Sequence, residues 1–420
     1  MITNESTHGQ LLFANLKIDL DKVSIEKLAH YTAVEYYLTV EYEPPPDASN
    51  LEKIHRYLDA FYHLCKVEDW QRAKEVFFTR LNTPTKEELH NQLSNWGYHR
   101  ELIDLYNKLV DKLSPNLNAI CWNGRGRSYF LLGDFNNAIH SYQQSLKISN
   151  NIQDYRLQSN VLQNIGATYH SLGNYNKAID LYQESLMLSG KLQDRSLESA
   201  TLGNLGASYH SLGDYQKSIE YQHQRLEIVQ KIQDRQGEQA LLGNLGNDYL
   251  RLGNYEKAVE CYQQVLNIIR EIQNRNGEGM ALNNLGYAYH CLGDHSKAIN
   301  YYKQSLVIKQ EIGDRPGEGN AFCNLGTTLM QIGKYSEAKE ALQASRDICC
   351  QIGYPSTESE ALLRLAELHQ ELGNCDLAIE YCDRALSIAT KLGIPLVKEC
   401  QELKEKLLSQ KAYRGNTNDN

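Results

Sequence analysis

A unit of 40 residues recurs along this chain at constant spacing, and that period limits the possible folds more than any other feature. Gly126, Gly166, Gly206, Gly246, Gly286 and Gly326 form one column of the repeat, with Ala366 in the same place of a seventh copy. Gly133, Gly173, Gly213, Gly253, Gly293, Gly333 and Gly373 form a second column, and Ala138, Ala178, Ser218, Ala258, Ala298, Ala338 and Ala378 a third. Self-similar units stack in a line, each burying its apolar face against its neighbours. The 420 residues therefore need not be divided among separate globular cores.

One copy, residues 235–274, reads RQGEQALLGNLGNDYLRLGNYEKAVECYQQVLNIIREIQN. Leu241, Leu242, Leu245, Tyr249 and Leu252 recur at three- and four-residue steps, which predicts a helix over 235–251. Gly253 supplies the left-handed residue that ends it, and Asn254 a side-chain oxygen to cap the next. Ala258, Val259, Tyr262, Leu266 and Ile269 then mark a second helix, with the small Ala column allowing the two to approach. Asp194, Asp234, Asn274 and Asp314 read as N-caps of the first helices. Each is followed by Arg195, Arg235, Arg275 or Arg315, with a Glu three residues later that suits the helix dipole and is close enough to pair.

The pattern Leu-Gly, Tyr three residues on, Leu-Gly-Asp/Asn-Tyr and Lys-Ala resembles the tetratricopeptide repeat, in the 40-residue form of Pins-type adaptors and many bacterial sensor proteins. The resemblance covers 118–393 and weakens in the last two copies, where Leu329 and His369 replace the column Tyr. It implies an all-α fold, a right-handed superhelical α-solenoid of helical hairpins. The partition expected is an N-terminal helical segment with a Pro-rich linker over 1–46, two degenerate hairpins over 47–115 and seven regular repeats over 116–393. A capping helix over 394–412 and a disordered tail over 413–420 complete it.

In the leading part, residues up to about 10 are polar and expected to be loose, and a helix is predicted over 25–40. Pro44, Pro45 and Pro46 cannot continue it and mark a boundary. Helices are predicted over 50–65, 70–81, 85–95 and 98–113, with Gly97 at the second turn. The stretches AHYTAVEYYLTVEYEPPP and YLDAFYHLCKVEDWQRA are similar to the junction between the nucleotide-binding and repeat halves of STAND-type signalling ATPases. No GxxxxGK[ST] loop is present, so the resemblance implies the sensing half alone, with the energy-using half on another polypeptide or absent.

With 43 basic and 52 acidic residues, net charge −9, the chain has no general attraction for nucleic acid or anionic membranes, and a partner with a basic or neutral face suits it. The ten cysteines have no CxxC spacing, and Cys261, Cys323 and Cys382 read as reduced small core residues of a cytoplasmic protein. Cys349 and Cys350 are adjacent. No apolar run reaches about 18 residues and the amino terminus is polar, so neither a membrane span nor a signal peptide is expected.

Asn164, Asn204, Asn244, Asn284 and Asn324 precede the Leu-Gly or Ile-Gly pair in five successive copies. The resemblance places this column on the inner, concave wall and implies that it grips the backbone of a bound peptide. A carboxamide offers a donor and an acceptor together, matching an extended peptide unit. The alternative is that each Asn ties its helix to the next. Three residues on stand Ala167, Ala207, Asn247, Tyr287 and Thr327, of which Asn247 and Tyr287 complete the expected groove, Tyr287 as an anchor. Four residues before each Asn stand Asn160, Ala200, Ala240, Met280 and Asn320. The basic pair with which chaperone-binding relatives hold a terminal carboxylate is unmatched.

His170, His210 and His290 share a column, but packed helices roughly 10 Å apart are too far for one ion with bonds near 2 Å, so no metal or other cofactor is expected. Tyr129, Tyr169, Tyr209, Tyr249 and Tyr289 read as packing residues, and no positive groove accompanies them for base stacking. No Ser-His-Asp order, HExxH or nucleophile elbow stands out. The reading is a non-catalytic adaptor that binds a peptide or protein segment. The alternatives are a sensor and regulatory subunit of a separate signalling ATPase, and an enzyme with an unrecognised site.

Overall fold

The computed structural model describes residues 8–418, as backbone only from 412. Among the described residues it has 21 α-helices and no strand, apart from one isolated antiparallel bridge, Arg80 to Glu88. The fold is an α-solenoid of tetratricopeptide-type hairpins, and it divides into two compact units, Met1–Leu212 and Gly213–Asn420.

Unit 1 holds α1 (His8–Leu16), α2 (Ile25–Thr39), α3 (Asn50–Lys66), α4 (Trp70–Phe77), α5 (Leu89–Asn95) and α6 (His99–Leu109). These precede α7 (Pro115–Leu131), α8 (Phe135–Asn151), α9 (Tyr155–Ser171), α10 (Tyr175–Leu192) and α11 (Arg195–Leu212). One core joins Leu12, Leu16, Val34 and Leu38 to Phe61, Leu64, Phe77 and Leu109, so within this unit Pro44–Pro46 form a bend rather than a break in packing. Helix α1 covers the last residues, 8–10, of the stretch expected to be loose, because Leu12 and Leu16 find that core, while the rest of that stretch, 1–7, lies outside the described residues. Helix α4 stops at Phe77 and α5 starts only at Leu89, short of the predicted 81 and 85. The intervening backbone pairs with itself instead, Leu81 N–H to Glu87 O at 2.9 Å and Leu89 N–H to Thr79 O at 2.8 Å.

Unit 2 holds α12 (Tyr215–Lys231), α13 (Arg235–Arg251), α14 (Tyr255–Glu271), α15 (Arg275–Leu292) and α16 (His295–Glu311). It continues with α17 (Arg315–Gln331), α18 (Tyr335–Ile352), α19 (Pro355–Glu371), α20 (Cys375–Leu392) and α21 (Leu396–Asn418). Cys400 and Leu407 of α21 are buried against Leu363, Ala378 and Cys382, covering the last hairpin. The backbone of α21 is helical to Asn418, so it runs on through residues 413–418 of the segment expected to be a loose tail.

The local chemistry follows the columns. Gly133, Gly173, Gly213, Gly253, Gly293, Gly333 and Gly373 have φ between 74 and 85°, the left-handed region that a Cβ disfavours. Asp134, Asn174, Asp214, Asn254 and Asp294 cap the second helices, and Asp194, Asp234, Asn274 and Asp314 the first ones. Arg195, Arg235 and Arg275 each reach the Glu three residues on at 2.7 Å, and Arg315 pairs with Glu318 in the same way. Inside the hairpins a buried tyrosine, Tyr142, Tyr182, Tyr262 or Tyr302, lies flat on Gly126, Gly166, Gly246 or Gly286. Ser145, Ser305 and Ser345, fully buried, donate to the carbonyls of Ala119, Gly279 and Gly319 at 2.7–2.8 Å.

Candidate functional site

In both units the first helices of successive hairpins touch one another, α7 with α9, α9 with α11, α15 with α17 and α17 with α19, which sets them on the inner side of each stack. The residue after each column Asn is a buried Ile165, Leu205, Leu245, Leu285 or Leu325, and the one after that a glycine packed into the hairpin. With those two turned inward, the Asn side chain faces out along the inner wall. Asn164, Asn204, Asn284 and Asn324 are half-buried and Asn244 is exposed.

The ladder is of two kinds. Asn164 Nδ2 donates to Asn123 Oδ1 at 2.9 Å, Asn204 Nδ2 to Gln163 Oε1 at 3.4 Å and Asn324 Nδ2 to Asn283 Oδ1 at 3.3 Å. In each case the acceptor stands 41 residues earlier, on the preceding first helix. The carboxamides of Asn244 and Asn284 have no hydrogen-bond partner among the described residues. Within unit 2, the position 41 residues before Asn284 holds Gly243, which carries no side chain to accept. Asn247 uses its Oδ1 to accept from the Tyr262 hydroxyl at 2.6 Å, within its own hairpin. Tyr287 is 45% exposed and lies on the same face of α15 as Met280, 55% exposed, with Asn283 and Asn284 between them.

The residues that tie the ladder, Asn123, Gln163 and Asn283, were not singled out from the sequence, although their column was there to read. Gln163 also lines a cavity of ≈ 440 Å³ with Asn123, Arg127, Asn160, Asn164 and Tyr142, and its Nε2 is buried without an acceptor. In the seventh repeat the ladder position is Arg364. Burial works against its charge, but Glu367, Glu360 and Glu399 hold the guanidinium protonated. His170 reaches Ser211 at 3.1 Å and His290 reaches Thr328 at 2.8 Å. No group of three His, Cys, Asp or Glu placed to hold a metal ion occurs among the described residues.

A polar triad in α12 and α13 was also not foreseen. Asp248, fully buried, accepts from Ser218 Oγ and Gln222 Nε2, each at 2.5 Å. Ser218 stands in the Ala column, Gln222 in the column of Tyr182 and Tyr262, and Asp248 where the sister helices have Ser, Thr, Ala or, in the last copy, Leu368.

Family models described as tetratricopeptide repeat match residues 118–188, 197–271, 237–311 and 277–351, and a second such model matches 323–391. Among solved structures, the chain is similar to a signal transduction ATPase with numerous domains and a tetratricopeptide repeat sensor from Pyrococcus horikoshii. The identity is 18% and the TM-score 0.51, with 87% of this chain and 51% of that chain covered, so this chain spans about half of that protein's length. It is also similar to the apo form of RapI, at 15% identity and TM-score 0.51, with 66% of this chain and 98% of that chain covered. A search of curated proteins gave no significant match.

Proposed function

This chain belongs to the tetratricopeptide repeat family, and from that premise we propose that it is a non-catalytic scaffold whose first helices grip an extended peptide or protein segment. The observation that carries the reading is the pair Asn244 and Asn284, two outward carboxamides one repeat apart with no partner among the described residues. Each offers N–H and C=O groups at the spacing of stacked helices, and the exposed Tyr287 and Met280 beside Asn284 supply an apolar anchor. Gln163 Nε2 adds a third unmet donor in unit 1.

Affinity capture from the source cell with the wild-type chain and with Asn244→Ala/Asn284→Ala tests this. A partner retained by the first and lost from the second, at unchanged melting temperature, supports the reading. Equal recovery of the partner on both removes the ladder from it.

A second reading, a sensor or regulatory subunit of a separate signalling ATPase, draws support from the similarity over 87% of the chain to the ATPase with a repeat sensor. Its test is a co-purifying ATPase whose turnover changes on addition of this chain. For a cytoplasmic setting the support is that all ten cysteines are free. Burial raises the thiols of Cys261, Cys349 and Cys382 to about 11 and that of Cys121 to about 12, which keeps them unreactive.

A further inference from the structure

A cleft of ≈ 600 Å³ opens in unit 1 between α3, α5 and the loop over 79–88, and it shares no lining residue with the Asn ladder. Its apolar walls are Ile54 and Leu81, both buried, with the part-buried rings of Tyr57 and Trp96. Gln92, 3% exposed, is the polar group set among them. Its Oε1 accepts from Thr83 Oγ1 at 2.9 Å and from Thr85 Oγ1 at 2.6 Å, so two hydroxyls of the loop hold the carboxamide in one orientation. Its Nε2 makes no hydrogen bond among the described residues and is not shut off from solvent, so this donor stands open to the cleft. Lys53, also in the lining, is exposed, and its ammonium makes neither ion pair nor hydrogen bond among the described residues.

The loop is held in place independently of any occupant. The backbone pairs Leu81–Glu87 and Leu89–Thr79 pin both of its ends. A preformed cleft of a few hundred Å³ with apolar walls and a small number of fixed polar groups has the anatomy of a small-molecule site.

We propose that this cleft binds a small apolar carboxylate. Its hydrocarbon or aromatic body lies against Ile54, Tyr57, Leu81 and Trp96, an oxygen accepts from Gln92 Nε2, and Lys53 balances the negative charge. This goes beyond the scaffold reading and does not depend on it.

The test is saturation-transfer NMR on the full chain with 4-phenylbutyrate, 1-naphthoate and octanoate, each beside its primary amide, followed by calorimetry on the best acid. The wild type is expected to bind an acid in preference to its amide. Lys53→Met weakens the acid roughly ten-fold and removes that preference, whereas Gln92→Leu weakens acid and amide alike, also roughly ten-fold. Asn244→Ala/Asn284→Ala leaves binding unchanged, which separates this site from the ladder. Should Gln92→Leu fail to fold, the exposed Lys53→Met carries the test. The proposal is overturned if none of the acids binds saturably at roughly 1 mM, or if Lys53→Met binds the acid as the wild type does.

Discussion

Gly286 lies so close beneath the ring of Tyr302 that a Cβ on it would stand 2.6 Å from Tyr302 Cδ1. The ring is 1% exposed and has nowhere to retreat. Gly286→Ala should therefore cost about 1–3 kcal/mol in urea unfolding, through overpacking. Gly243, on the matching first helix one repeat earlier, has nothing within 4 Å of its Cβ position. There Gly→Ala should stabilise the chain by roughly 0.5–1 kcal/mol, by lowering the entropy of the unfolded helix. Equal effects at the two sites would remove the ring contact as the reason for the glycine column.

The two kinds of ladder Asn predict two kinds of mutant. Asn164→Ala breaks the bond to Asn123 and should lower stability by about 0.5–1.5 kcal/mol. Asn244→Ala with Asn284→Ala removes no internal bond and should leave the melting temperature nearly unchanged. If the groove reading holds, the double variant should bind a peptide selected on the wild type from a display library roughly ten- to several-hundred-fold more weakly. A double variant that melts much earlier yet still binds normally would make the ladder internal scaffolding.

Asp248 holds Ser218 and Gln222 inside unit 2. Asp248→Ala alone takes one partner each from the buried Ser218 hydroxyl and the buried Gln222 carboxamide, which keep only their bond to each other at 2.7 Å within the triad, and should cost about 1–3 kcal/mol. Ser218→Ala, Gln222→Tyr and Asp248→Ala together restore the residues of the sister hairpins and should recover most of that loss. Guanidinium unfolding of the single and triple variants measures this. A triple variant no better than the single one would show that the three do not act as a unit.

Burial between Phe77, Phe78 and Tyr106 holds the His90 imidazole down to about 4. The folded state thus keeps His90 neutral while the unfolded chain, titrating near 6.5, takes up a proton first. The stability contributed is complete above about pH 6.5 and is lost as pH falls toward 4, amounting to roughly 2–4 kcal/mol. His63, His99, His223, His290 and His369 are lowered in the same direction, chiefly by burial. Urea melts at pH 7.5, 6 and 5 should show falling stability, and His90→Gln should flatten the slope. A slope unchanged by the substitution would assign the acid sensitivity elsewhere.

What the sequence alone determined here is what each repeat writes locally. Gly253 at a left-handed turn, Asn254 reaching the Lys257 N–H and Arg235 reaching Glu238 involve residues within three or four positions; the glycine turn recurs in seven copies, the side-chain cap in five and the Arg–Glu pair in four. The Asn column was legible too, because the 40-residue period lines it up. Only the tertiary structure decided which of those Asn are tied. The tie depends on whether the residue 41 positions earlier has an acceptor, as Asn123 does and Gly243 does not. It likewise decided that α1 joins the core beyond the three prolines, that the chain from Thr79 to Leu89 pairs with itself, and that Ser218, Gln222 and Asp248 meet. Periodicity says which face of a helix is apolar. Which residue of the next helix meets that face depends on how the two pack, and packing energy is set by pairs of side chains that lie far apart along the chain.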